Sequence, residues 1–121
     1  MNVEQAQSYL LNKPEAVEGH PFGSDVKVYK VKNKMFATLS QGKDSDFYWL
    51  SLKCDPDEAV SLRDIFPSVI PGYHMNKRHW NTVILDDTIP HNEIERMIDN
   101  SFLLVVSGMA DADRQSIEIQ L

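Results

Sequence analysis

The chain has 121 residues, 42% of them apolar and 25% charged, which is the size and composition of one compact domain and excludes wholesale disorder. No apolar run approaches the roughly 18 residues of a membrane span, and the N-terminal stretch has neither a basic n-region nor a cleavable apolar segment, so a soluble cytoplasmic monomer without a membrane partner is expected. With 18 acids against 12 bases the net charge is −6, which opposes generic coating of nucleic acid unless the bases are segregated.

The elements follow in chain order. Val3, Ala6, Gln7 and Leu10 form a helical stripe that must stop before Lys13-Pro14, because the residue ahead of a proline resists the α region. A Pro/Gly-punctuated loop, AVEGHPFGSD, leads to VKVYKV and MFATL, two β-rich runs read as a hairpin over residues 26 to 40. Its turn is placed at Asn33-Lys34, since asparagine tolerates positive φ. The polar loop QGKDSD joins a third strand, FYWLSLKC. Asp55 then supplies an N-cap with Pro56 at the first helical position, and Ala59, Leu62, Ile65 and Phe66 share one face until Pro67. Residues 68 to 77 contain Pro71-Gly72 and no period, and read as an irregular connection. HWNTVILD resumes alternation as a strand. Ile94, Met97, Ile98, Ser101, Phe102 and Val105 mark the strongest amphipathic helix, beginning just after Pro90. The tail ADADRQSIEIQL mixes a helical start with alternating Ile117, Ile119 and Leu121, and is read as helix. The order α, several β, α, β, α predicts an α+β fold with helices on one face of a mainly antiparallel sheet, a single domain over residues 1–121.

Charge is segregated along this order. Residues 26 to 43 hold Lys27, Lys30, Lys32, Lys34 and Lys43 with no acid, a pattern that also serves to protect strand edges. The acids gather where helices begin, at Asp55, Asp57 and Glu58, again at Glu93 and Glu95, and at Asp111 and Asp113, where carboxylates favour the positive end of the helix dipole. Nucleotide-loop, hydrolase, zincin and calcium-loop motifs are absent, so no enzymatic chemistry is expected. Cys54, the single cysteine, cannot form an intrachain disulfide. It follows Lys53, and a neighbouring cation can depress a thiol, but spacing offers no triad partner and a buried small residue is the simpler reading. His74 and His79 flank Lys77 and Arg78, which would repel a metal ion; neither a metal site nor a cofactor is expected.

The unusual segment is Pro71-Gly72-Tyr73-His74-Met75-Asn76-Lys77-Arg78-His79-Trp80, a turn with two aromatics and a basic cluster immediately before a strand, suited to gripping an anion. The string PGYHMNKRHWNTVILD, with Lys13-Pro14, Pro21-Phe22, Lys34-Met35-Phe36-Ala37, Leu52-Lys53, Asp55-Pro56 and Ser101-Phe102, resembles the MmcQ/YjbR family of small bacterial proteins from the first helix to the last. The resemblance implies a CyaY-like α/β sandwich, helices packed on a twisted antiparallel sheet, and a DNA-binding role through a double-wing arrangement. Carried over by position, it points to His74, Asn76, Lys77, His79 and Trp80, with Lys13, Lys34 and Lys53 in support; Arg78 adds a neighbouring cation. Phe102 stands where the family usually has tyrosine, and His91 where it has an acidic cap. Three functions are carried forward: salt-sensitive, phosphate-directed DNA binding; a protein-interaction or regulatory module using the same loop; and a small anionic-ligand binder near His74 to Trp80.

Overall fold

The computed structural model describes residues 1–121. The elements are α1 (Val3–Leu11), β1 (Ala16–Gly19), β2 (Val26–Val31), β3 (Lys34–Gln41), β4 (Tyr48–Lys53), α2 (Pro56–Ile65), β5 (Val69–Pro71), β6 (Trp80–Ile84), α3 (His91–Ser107) and α4 (Asp111–Glu118). The six strands form one sheet in the order β1-β2-β3-β4-β6-β5, antiparallel throughout. The expected α+β architecture is present.

Local chemistry sets the helix starts. Asn2 and Gln5 form a reciprocal capping box, the Asn2 side chain accepting from Gln5 N at 2.8 Å and the Gln5 side chain from Asn2 N at 2.9 Å. Asp55 accepts from the amides of Asp57 and Glu58, at 3.1 and 3.2 Å, with Pro56 opening α2 as expected. The tail folds as helix α4, which buries Ile117.

Three expectations need correction. The hairpin turn is centred on Lys32 and Asn33, both at positive φ (46° and 65°), and Lys34 already belongs to β3. Two consecutive left-handed residues make the tight turn whose twist matches the flanking strands, and Lys32 is held there by an ion pair to Glu15 at 3.3 Å. Residues 69–71, read as irregular, form edge strand β5 on β6. AVEG, read as loop, forms edge strand β1, with Ala16 opposite Val31.

The core lies between the helices and one face of the sheet, a cluster of 25 buried residues. Alternation sends Leu39, Leu50, Leu52 and Val83 inward against Ile94, Ile98 and Phe102. A bulge between Tyr29 and Lys30 leaves Phe36 as an extra residue on β3, so Phe36 and Ala37 are both buried. Phe36 meets Phe102 edge-on at 5.3 Å. Buried Ser101 ties this region together: its hydroxyl donates to the Phe36 carbonyl at 2.6 Å and accepts from the Lys53 amide at 2.9 Å. The polar residue in the apolar stripe of α3 therefore satisfies backbone groups that the bulge and strand end would leave buried.

Candidate functional site

The opposite face of the sheet carries no helix. Thr38, Ser40, Trp49, Ser51 and Thr82 alternate with the core residues of β3, β4 and β6, and cross-strand pairing sets Thr38 beside Ser51, Ser40 beside Trp49, and Ser51 beside Thr82. Three loops frame this face. The loop before β2 contributes Phe22, the β3–β4 loop contributes Lys43, and the β5–β6 loop contributes Tyr73, His74 and Met75. Together with Met35 and Val26 they enclose a cleft of about 500 Å³.

The β5–β6 loop is braced by its own side chains. Gly72 N donates to the Trp80 carbonyl at 2.9 Å, closing the base of the loop. A Cβ at position 72 would lie 2.7 Å from Trp80 Cβ and 2.9 Å from its carbonyl oxygen, so only glycine fits that approach. Tyr73 N donates to Thr82 Oγ1 at 2.9 Å, anchoring the loop to the open face. The Asn76 side chain accepts from the amides of Arg78 and His79, at 3.0 and 3.3 Å, a local turn bond typical of asparagine. Lys77 Nζ donates to the Gly72 carbonyl at 3.1 Å. His74 sits at φ 57°, a sparsely populated conformation for a non-glycine residue. That conformation places its ring 4.1 Å from the Tyr73 ring, which in turn meets Trp49 edge-on at 5.2 Å.

The residues singled out from sequence thus divide. His74, Asn76, Lys77, Arg78, His79 and Trp80 are together on one loop and the strand it enters. Asn76 and Lys77 are engaged in shaping that loop, while the Arg78 side chain is exposed and makes no ion pair. Lys53 stands at the end of β4 with Trp80 as its cross-strand partner, so it adjoins the loop. Lys34 opens β3 and is exposed at the hairpin turn. Lys13 is elsewhere: it pairs with Asp99 of α3, 4.8 Å above the Tyr9 ring, while Tyr9 donates to the same carboxylate at 2.8 Å. Burial and that bond push the Tyr9 phenol up to about 12. This cluster clamps α1 to α3, in the helical layer.

Cys54 is buried, as expected, but its thiol is not activated. Burial pushes it up to about 11, with Glu58 and Asp55 adding to the effect, and Lys53 does not lower it. Phe102 is 1% exposed and packs in the core, so the missing tyrosine hydroxyl has no bearing on the cleft. No three His, Cys, Asp or Glu side chains converge on a point that could hold a metal ion.

Residues 11–104, which hold Lys13, Asp99, the whole sheet and the loop, match the YjbR family model. The chain belongs to the YjbR family. Among curated relatives it is 34% identical over 114 residues to the uncharacterized protein YbdF of Escherichia coli O157:H7, covering 94% of this chain and 92% of YbdF. It is 29% identical over 115 residues to the uncharacterized protein YjbR of E. coli K12, covering 95% and 96%. The crystal structure of Deinococcus radiodurans protein DR2400, family-model domain DUF419, superposes with a TM-score of 0.86 at 36% identity, covering 97% of this chain and 88% of that one. A Pseudomonas syringae crystal structure gives 0.77 at 32% identity, over 87% and 99%. The helix-free face and the loops that frame it lie within the matched residues.

The cleft itself escaped the sequence reading, apart from its wall at Tyr73 and His74. Its other contributors, Phe22, Met35, Thr38, Ser40 and Trp49, come from separate segments. The available signal was small polar residues at alternate positions of otherwise apolar strands, Thr38 and Ser40 beside Ala37 and Leu39.

Proposed function

We propose that this protein binds DNA through phosphate contacts spread over the strands and loops of its sheet, centred on the β5–β6 loop. The observation that carries this reading is the division of the cations. Lys13, Lys32, Arg96 and Arg114 are ion-paired to carboxylates, and Arg63 donates to Asn81 at 2.8 Å. Lys30, Lys34, Lys43, Lys53, Lys77 and Arg78 have no carboxylate in ion-pair range, and all of them lie on strands or their loops; Lys27 is also unpaired but faces the helical side, beside Glu4 and Gln7 of α1. Acids of α2, α3 and α4 are held in the other layer, and of the acids on the strands and their loops, among them Glu18, Asp44 and Asp46, only Asp25 lines the cleft. Charges beyond roughly 8–10 Å are screened at physiological ionic strength, so a bound phosphate responds to the local cations more than to the net −6.

Arg78 is the most available donor of the loop, whereas Lys77 is partly committed to the Gly72 carbonyl. Anisotropy titration of a labelled duplex at two salt concentrations tests the reading, because each phosphate contact releases counterions. Wild-type affinity is expected to fall steeply with salt. Arg78→Ala should lower affinity on every sequence alike and flatten the slope by about one unit, with no change in folding because an exposed charge contributes little to stability. Absence of binding at low salt would overturn the proposal.

A further inference from the structure

We propose that the cleft on the open sheet face receives one unpaired nucleobase, so that the DNA-binding surface prefers a single strand to a duplex. The inference rests on the phosphate-binding reading above and adds the ligand class of a site that reading does not need. The cleft volume of about 500 Å³ lies within the roughly 300–1,000 Å³ of small-ligand sites.

Three features select a planar heteroaromatic with hydrogen-bonding edges and an attached anion. The walls are aromatic: Phe22 is 71% exposed on its loop, and Trp49 and Tyr73 lock each other edge-on at 5.2 Å. Rings of this kind provide stacking faces that any base can use. On the floor, the Ser51 hydroxyl is satisfied by buried Thr82 at 2.8 Å, but those of Thr38 and Ser40 have no hydrogen-bond partner within the protein and line the same cleft. An apolar ligand would leave them unpaired; a base edge satisfies them. On the rim, Lys43 and His74 are placed to meet a phosphate, and Asp25 is the one acid there. A base within a duplex is stacked on both faces and paired at its edge, and cannot enter such a recess without being extruded.

The test is anisotropy titration of an oligonucleotide, single-stranded and as its duplex, against wild type, Phe22→Ala and Arg78→Ala. Phe22 is exposed on a loop, so its removal leaves the fold intact. The single strand is expected to bind about ten-fold or more tightly than the duplex. Phe22→Ala should erase most of that preference while leaving duplex affinity and salt slope unchanged, whereas Arg78→Ala should flatten the slope for both ligands. Equal binding of strand and duplex, indifferent to Phe22→Ala, would overturn the base site and leave phosphate binding standing. Binding of neither ligand at low salt would overturn both.

Discussion

Replacing Gly42 by alanine is expected to destabilise the protein by about 1–3 kcal/mol and to displace the Trp49 indole. Gly42 is buried at the root of the β3–β4 loop, where its amide donates to the Phe47 carbonyl at 2.9 Å. Its φ is not in the left-handed region, so the backbone itself would accept alanine and gain from reduced unfolded-state entropy. Space decides the sign. A Cβ there would lie 2.2 Å from Trp49 Nε1 and 2.3 Å from Cε2, and a ring clamped edge-on by Tyr73 cannot yield without moving a wall of the cleft. Trp49 Nε1 is also buried with no acceptor, so the close approach to Gly42 is achieved at a polar cost. Denaturant unfolding and tryptophan emission read the two effects. An unchanged midpoint with an unchanged emission maximum would contradict this account of the site.

A larger loss is expected on the other face. Phe102→Ala should cost about 3–5 kcal/mol, because the ring is 1% exposed and fills the space against Phe36 at the β3 bulge. The bulge concentrates the effect: Phe36 is the extra residue, and its carbonyl depends on Ser101, the residue before Phe102 on α3. Urea unfolding measures the change. At temperatures where the variant remains folded, its DNA affinity should match wild type, since Phe102 faces away from the cleft. A cost below about 1 kcal/mol would show that the α3–sheet contact is not the main packing unit.

The contrast between these two faces explains what was legible from sequence. Core-facing residues recur with a fixed period, so α3, β4 and the helix opened by Asp55-Pro56 were readable, as was the existence of the hairpin. Its turn was displaced by one residue because Lys32 takes up a left-handed conformation that no local side-chain preference signals. Edge strands β1 and β5 have four and three residues, too few for a period, and exist because β2 and β6 offer them backbone partners. For the site, the sequence located the loop 71–80 but not the division of labour within it. Asn76 and Lys77 look identical in sequence to free ligands until their bonds to the loop backbone are seen. Lys13 likewise reads as one more cation, although Asp99, its partner, lies 86 residues away. The cleft depends on register between β3 and β4, which period-2 alternation suggests but cannot align across the intervening loop.

The most direct test of nucleic-acid binding by the open face is an NMR titration of isotopically labelled protein with a short oligonucleotide at low salt. Shifts are predicted for the Trp49 indole N–H and for the amides of Thr38, Ser40, Tyr73, His74 and Arg78, with α2 and α4 unmoved. Shifts confined to the helices, or none at saturating oligonucleotide, would contradict it.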